Sequence, residues 1–373
     1  MKNGFDSDRF KPAQKKQIRK SKARNGYDFL LLEVGGKPTR DNNSERSFPG
    51  YRPGLKLEVI KEEFPNDETE AVCVISANAI TTERKRNDTE ASYSSEAFSL
   101  IDDFKNQGLT INKVIIARND PHNKSKKIEK FEKEAEYRGL RTFIFNENGC
   151  YVPDKRILPG LETTPYIEFD RKNVIVVSPG AGSGKFGFCL SQMYHLMRRG
   201  LTPKYIKFET LPVAKVRPDH LINLLYEAVT ADIGDKLEVD ENAGNATSYK
   251  RDKENFKLLE YVRSRFGKEA RCLREYKSAT SMGVNELKEG IINENVVKAA
   301  IVGEIHRRHA YHLLEDGEES AEVKRLDSIV ARIPTALKVW MNGAVNEAVS
   351  KTANNRVVGR RKAMVAGAGK KYG

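Results

Sequence analysis

The chain has 373 residues, of which 39% are hydrophobic and 31% charged, so it has room for two or three domains of ordinary size. No run of about 18 apolar residues occurs, which excludes a membrane-spanning helix, and the first residues lack the apolar core of a secretory signal. Four widely spaced cysteines (Cys73, Cys150, Cys189 and Cys272) favour free thiols over a disulfide framework or a zinc site. We therefore expect a cytoplasmic protein that does not interact with membranes.

The net charge of +13 is concentrated at the two ends of the chain. Residues 1–24 contain nine Lys or Arg and two Asp, and residues 350–373 contain seven Lys or Arg and no acids, so each end carries +7. The 325 residues between these ends sum to −1. We expect a basic N-terminal arm over residues 1–24 and a loose basic tail over residues 344–373. These ends are either solvated or make weak, non-specific contacts with nucleic-acid phosphates.

Strand and helix patterns alternate through the first part of the chain. Strands are predicted at 27–33, 71–75, 112–117 and 140–145, with helices at about 95–107 and 124–138. Short apolar strands that alternate with helices of this length indicate a parallel sheet covered on both faces. We assign residues 25–160 to a first α/β domain.

A second α/β unit is predicted over residues 161–250. Its predicted elements are a strand at 173–178, a helix at 186–199, a strand at 204–208 and a helix at about 219–230. Helical patterns at 253–266, about 286–314 and 318–332 then predict a helical region over residues 251–343. The expected fold class is α/β, with mostly parallel sheets, covering helices and a C-terminal helical region.

The turn after the strand at 173–178 has the sequence Pro-Gly-Ala-Gly-Ser-Gly-Lys over residues 179–185. Glycines let successive backbone N–H groups point at one anion, the following helix adds partial positive charge, and a lysine supplies a cation. A P-loop has glycine where Pro179 stands and a magnesium-binding Ser or Thr where Phe186 stands, so this turn is an incomplete P-loop. We predict a phosphate site, for a nucleotide with or without Mg²⁺, formed by Gly180, Gly182, Ser183, Gly184 and Lys185; the alternative is a plain strand–helix turn.

Two acidic residues are candidates for catalysis beside this turn. Glu209 follows the strand at 204–208, and Asp232 ends the next predicted helix. Ligands of open α/β sheets bind beyond the carboxyl ends of the strands, where either carboxylate could position a metal or act as a general base. The alternative is structural: Glu209 pairs with a lysine and Asp232 caps a helix.

Two other motifs give weaker signals. His306, His309 and His312 are spaced by three residues, which spreads them over a helical face, so a metal site is not expected there. Cys189 would need a lowered pKa to act as a nucleophile, and a buried structural thiol is the better interpretation. The metal ligands, if a metal binds, stay unassigned.

Several stretches resemble the bacterial family catalogued as domain of unknown function eighteen forty-six. The similar stretches are residues 4–6, 33–37, 49–51, 75–78, 100–103, 178–185, 189–192, 207–210, 223–232 and 276–285. They follow the order of the family over roughly residues 4–315. The resemblance implies an α/β core with an inserted or appended helical part, and it implies no particular reaction.

Polar residues within or near these stretches are the candidates for contact with a polar substrate. They are Lys37, Asn78, Arg118, Asn223, Tyr226, Glu227, Arg251 and Lys277. The chain also departs from the family pattern, with Phe188 in place of a usual Thr and a basic tail where relatives have a further domain. A capping or ion-pair role is the alternative for each residue.

Three functions are consistent with these patterns. The first is an enzyme, a phosphate-dependent transferase or hydrolase, that binds a nucleotide or another phosphorylated metabolite at residues 179–185. The second is a nucleic-acid-associated accessory protein that acts through its basic ends. The third is a protein whose vestigial site has given way to protein contacts. Self-association is compatible with all three.

Overall fold

The computed structural model describes residues 3–340 except 87–88, 124, 148–154, 210, 212–215, 217–218, 232–235, 244–245 and 267–268. Asp232, Cys150 and the basic tail over residues 344–373 therefore lie outside the described residues.

A parallel sheet of seven strands forms the centre of the protein. Its strands are β1 (Phe29–Val34), β2 (Thr69–Ser76), β3 (Ile111–Asn119), β4 (Arg141–Asn146), β5 (Asn173–Val177), β6 (Pro203–Phe208) and the short β9 (Gly283–Val284). The order across the sheet is β4-β3-β2-β5-β1-β6-β9, and every neighbouring pair is parallel. A separate antiparallel hairpin is made of β7 (Leu237–Asp240) and β8 (Ala246–Tyr249).

Twelve α-helices are defined within the described residues. They are α1 (Ser7–Lys22), α2 (Asn42–Ser47), α3 (Leu55–Glu63), α4 (Ala77–Thr81), α5 (Tyr93–Asn106), α6 (Lys126–Tyr137), α7 (Ile157–Glu162), α8 (Lys185–Arg198), α9 (Leu221–Val229), α10 (Lys250–Phe266), α11 (Glu294–Glu315) and α12 (residues 321–340). Side-chain caps set several of the starts, as where Asp6 accepts from the backbone of α1 and Ser92 accepts from that of α5. The predicted α/β class and the C-terminal helical region are confirmed.

The two faces of the sheet pack against different sets of helices. In β2, Cys73 and Ile75 point to one face while Val72 and Val74 point to the other, as the two-residue period of a strand requires. Helices α3, α5, α6, α9, α11 and α12 contribute to the core on the first face, and α7, α8 and α10 to the core on the second. The strands are buried on both faces, which explains their nearly continuous apolar sequences.

Strand β5 lies at a switch point of this sheet. It is hydrogen-bonded to β2 on one side and β1 on the other, although both precede it by many residues. The helix after β2 packs on the first face, whereas α8, which follows β5, packs on the second. Adjacent strands whose following helices diverge leave a crevice at their carboxyl ends. The boundary predicted near residue 160 therefore does not separate two sheets, because strands from both predicted units interleave in one.

The N-terminal segment, predicted as a basic arm over residues 1–24, contains a packed helix, α1. Phe10, Gln14 and Ile18 recur every four residues on one side of α1 and are buried. The basic side is paired with α3: Lys15 lies 2.6 Å from Glu62, and a nitrogen of Arg19 lies 2.7 Å from an oxygen of Glu63. The sequence prediction considered the charge of this segment and did not consider the apolar residues on one side of the helix.

Candidate functional site

A cavity of about 950 Å³ opens at the carboxyl ends of the strands. Its walls come from the turn after β5, from the ends of β1, β2, β3 and β6, and from α9, β8 and the start of α10. The glycine-rich turn at 179–185 therefore faces the crevice that the switch point creates. A volume of this size is sufficient for a metabolite or a nucleotide.

Glycine is required at several positions of this turn. Gly182 and Gly184 have φ angles of 75° and 93°, in the left-handed region that favours glycine. A Cβ at Gly180 would lie 2.6 Å from the hydroxyl oxygen of Tyr93, and one at Gly184 would lie 2.8 Å from the Cβ of Ala117. Among the residues that the structure describes, no side chain caps the start of α8 at Gly184. The first-turn amides of this helix are thus left for solvent or a ligand in the cavity.

Lys185 is buried in this turn, and none of the described carboxylates pairs with it. Its side chain donates to the hydroxyl oxygen of Ser178 at 2.7 Å and lies 3.5 Å from that of Ser183, and the residue is only 6% exposed. Among the described residues, no acidic oxygen lies within 4.0 Å of its ammonium group. Burial lowers the pKa of Lys185 to about 8, against the opposing effect of Glu33. This buried ammonium is therefore poorly compensated.

A second buried lysine, Lys207, lies two strands away and is well compensated. Because side chains alternate along a strand, Glu33 of β1 and Lys207 of β6 point to the face that α8 covers, and these two residues are neighbours in the strand register. Lys207 forms an ion pair with Asp252 at the start of α10, and its ammonium lies 3.7 Å from Glu209. Glu33 accepts a hydrogen bond of 2.7 Å from the hydroxyl of Tyr205.

Glu209 has the environment of a proton-exchanging carboxyl group. Burial raises its pKa to about 7; Lys207 opposes this shift, while Asp252 and Glu33 reinforce it. Its side chain is 11% exposed and lines the cavity. Gly283 of β9 lies against it, since a Cβ there would be 2.7 Å from the carboxyl carbon of Glu209. A carboxyl group with a pKa near neutrality can take up or release a proton under ordinary conditions.

The sequence-predicted substrate residues divide into two groups. The members that line the cavity are Lys37, Asn78, Arg118, Tyr226 and Arg251. Arg118 holds a φ of 58°, which is unusual for a residue other than glycine, and its Cγ lies 3.6 Å from where a Cβ of Gly184 would stand. The structure therefore brings Arg118 directly over the glycine-rich turn.

The other group lies away from the cavity. Asn223 is fully buried within α9, Glu227 forms an ion pair with Arg332 of α12, and Lys277 is exposed to solvent. Asp232, the second catalytic candidate, is outside the described residues.

Sequence reasoning overlooked four residues of the site: Glu33, Tyr93, Lys207 and Asp252. Glu33 and Lys207 stand inside stretches that resemble the family. Each comes two positions after a buried residue of its strand, Leu31 or Tyr205, that points to the face covered by α8. That alternation was a usable signal. Tyr93 and Asp252 begin or nearly begin helices, and nothing local distinguishes them from ordinary first-turn residues.

The weaker candidates take structural roles. His309 pairs with Asp327 at 2.7 Å and His312 with Asp316 at 2.5 Å. Within the residues that the structure describes, no group of three His, Cys, Asp or Glu side chains is arranged to hold a metal ion. Cys189 is fully buried and burial raises the pKa of its thiol, as expected for a structural cysteine.

Comparisons with known proteins agree with the resemblance inferred from the motifs. A family model described as "Domain of unknown function DUF1846, N-terminal" matches residues 3–334. The UPF0371 protein of Clostridium tetani is 35% identical over 318 residues, which cover 83% of this chain and 61% of that protein. A UPF0371 protein of Streptococcus uberis is 35% identical over 323 residues, which cover 84% of this chain and 63% of that protein. The chain thus spans less than two thirds of the length of these relatives.

Across the part of the chain that the structure describes, no helix combines the length and the apolar character needed to cross a lipid bilayer.

Proposed function

The chain belongs to the DUF1846 family, and we propose that it binds a nucleotide or another phosphorylated metabolite at the turn between β5 and α8. The single observation that carries this proposal is Lys185, a buried ammonium group at the cavity whose partners among the described residues are hydroxyl oxygens. Burial of a charge without a counter-ion is unfavourable, and a phosphate group in the cavity would remove that penalty.

The surrounding turn supports the same ligand. The uncapped amides at the start of α8 and the partial positive charge of the helix N-terminus both favour an anion next to Lys185. Arg118 adds a further cation at the cavity wall beside the turn, where its guanidinium also lies 3.4 Å from Glu147. Charge-assisted hydrogen bonds from amides, lysine and arginine are the usual means by which proteins hold phosphate.

We further propose an enzymatic role, as a phosphate-dependent transferase or hydrolase in which Glu209 exchanges the proton. Its pKa of about 7 allows it to act as a base on an attacking hydroxyl group or as an acid toward a leaving group. A magnesium ion that arrives with a nucleotide would be held mainly by phosphate oxygens. The reason is that Phe186, which stands where a P-loop has its hydroxyl, packs edge-on against Tyr205.

The test is ligand binding to wild type, Lys185→Met and a matched control, Lys172→Met. Lys172 immediately precedes β5 at its opposite end, is exposed, and pairs with Glu68 at 2.8 Å. Thermal-shift and calorimetric titrations would use inorganic phosphate, nucleotides and phosphorylated metabolites, with and without Mg²⁺. A ligand present at 100 times its dissociation constant stabilises by about 2.7 kcal/mol, which is measurable. We expect this shift in wild type and Lys172→Met and its loss in Lys185→Met; equal binding by all three proteins contradicts the proposal.

The alternative is a nucleic-acid-associated protein that acts through its basic ends. Three basic side chains of α1, those of Lys11, Lys15 and Arg19, are paired with acidic residues of α3, so this helix offers less free positive charge than its composition suggests. The tail over residues 344–373 is the other support. Deletion of this tail would abolish binding to nucleic acid and its salt dependence if that alternative held.

A further inference from the structure

A row of hydrogen-bonding groups continues from the glycine-rich turn along the edge of the sheet. It runs from Lys185 past Glu33 of β1 to Lys207 and Glu209 of β6, with Asp252 above them on α10. Neighbouring strands lie about 4.8 Å apart, so β5 and β6 are separated by about 10 Å. A phosphate held at the turn would thus place the next few atoms of its ligand along this row.

Two observations indicate that this row is built for a ligand. The first is Lys185, which is buried and unpaired by any acid within the described residues, as noted above. The second is Glu209, whose carboxylate is nearly buried at the cavity wall. Its one ion pair among the described residues, to Lys207, spans 3.7 Å and exceeds hydrogen-bond length. Buried polar groups at a cavity wall are stabilised when a ligand supplies the hydrogen bonds that the protein does not.

The charged, hydrogen-bonding side chains of this row restrict the chemistry of the ligand. An alkyl chain placed here would displace water from the carboxylates without replacing its hydrogen bonds, which is unfavourable. A flat base would gain from an open aromatic face beside the row, but the Tyr249 ring next to Lys207 is already engaged: it is stacked on Tyr226 at 3.9 Å, and the ammonium of Lys207 lies 4.9 Å from its centroid. Hydroxyl groups, which donate to carboxylates and accept from lysine, match the row.

We propose that the ligand is a phosphate monoester of a sugar or another polyhydroxylated compound, with its phosphate at Lys185 and its hydroxyl groups on Glu33, Glu209 and Lys207. This inference rests on the proposed phosphate site. It adds that recognition extends from the phosphate to the hydroxylated carbon chain and does not depend on a nucleobase.

The experiment compares four probes by calorimetry on the full chain: ribose 5-phosphate, n-pentyl phosphate, inorganic phosphate and adenosine 5′-monophosphate. Pentyl phosphate retains the phosphate and a five-carbon chain but lacks the hydroxyl groups. We expect ribose 5-phosphate to bind at least about tenfold more tightly than pentyl phosphate, because hydroxyl bonds to charged groups are lost in the latter. Glu209→Ala should reduce that difference to less than about threefold, because the lost carboxylate would contact only the hydroxyl groups of the ligand.

Controls separate this inference from the phosphate site itself. Glu209→Gln keeps the shape and is the second variant if Glu209→Ala fails to fold, and Glu260→Gln, on the same helix as Asp252 but paired with Arg263, should behave as wild type. Equal affinity for ribose 5-phosphate and pentyl phosphate overturns the sugar-phosphate inference and leaves the phosphate site standing. Adenosine monophosphate that binds at least about tenfold more tightly than ribose 5-phosphate also overturns it, because the base is then recognised. Binding of none of the four probes overturns both proposals.

Discussion

Two buried lysines stand at the same edge of the sheet, and their surroundings are opposite. Lys207 is enclosed by Asp252 and Glu209, and these carboxylates raise its pKa despite burial. The partners of Lys185 within the described part of the chain are hydroxyl groups, and burial lowers its pKa to about 8. The two side chains are almost equally buried, so the opposite shifts of their pKa values come from the acidic neighbours and not from the extent of burial.

The comparison teaches that burial alone does not assign a role to a lysine. A lysine with two carboxylates has its charge satisfied by the fold, and its removal leaves those carboxylates uncompensated. A buried lysine without carboxylate partners lowers the stability of the fold, and such a residue is a candidate for binding a ligand that supplies the missing negative charge. Lys207 therefore pairs with Asp252 and lies close to Glu209 within the fold, whereas the surroundings of Lys185 support the proposal that it binds an anion.

The largest expected effect comes from removal of the compensated lysine. Lys207→Met should lower the free energy of unfolding by roughly 3–5 kcal/mol, because it leaves buried carboxylates without a counter-ion. Lys185→Met should change the free energy of unfolding by less than about 1 kcal/mol. Urea denaturation at pH 7 measures both. The double variant Lys207→Met/Asp252→Asn should recover part of the loss. Equal effects of the two single substitutions would break the comparison.

A smaller effect concerns the proton on Glu209. Its pKa in the folded protein, about 7, lies above the ordinary value of 4.5, so the unfolded chain releases this proton first as pH rises. The contribution of this group to stability is complete below about pH 4.5 and is lost as pH rises through 7. Between pH 5 and pH 8, wild type should lose on the order of 1–2 kcal/mol relative to Glu209→Gln, measured by denaturant unfolding. Parallel pH profiles would mean that Lys207 compensates Glu209 fully.

The smallest effect is the pH dependence of anion binding at Lys185. Sulfate is a suitable probe because it does not titrate in this range. A bound anion keeps the lysine charged, so affinity should fall as pH rises through about 8, by up to about tenfold between pH 7 and pH 9. Calorimetry in the Glu209→Gln background isolates this dependence from that of the carboxyl group. A flat profile there, or a wild-type slope retained in Lys185→Met, would remove Lys185 from the anion site.

Local patterns in the sequence predicted much of the fold and the centre of the site. The strands β1 to β6 were predicted within a few residues, because buried parallel strands are continuous apolar runs. The glycine-rich turn was predicted because it follows one such run and begins a helix. Glu209 was predicted from its place at a strand end, and it does line the cavity.

The remainder depended on contacts between distant parts of the chain. The proximity of Glu33 to Lys207 depends on the pairing of β1 with β6, which no local pattern reveals. Glu227 appeared to be a binding residue because it is polar in an apolar helix, yet its partner Arg332 comes 105 positions later. The burial of α1 was missed because its high charge obscured a stripe of only a few apolar residues.

The interleaved position of β5 has a consequence for the synthesis of the chain. Strand β1 is complete at Val34, but its neighbours in the sheet begin only at Asn173 and Pro203. At about 5–20 residues per second, β1 waits on the order of ten seconds for its first neighbour. During that interval Leu30, Leu31 and Leu32 lack both of the strands that they pair with in the folded sheet, so we expect this segment of the nascent chain to be prone to aggregate and to benefit from a chaperone.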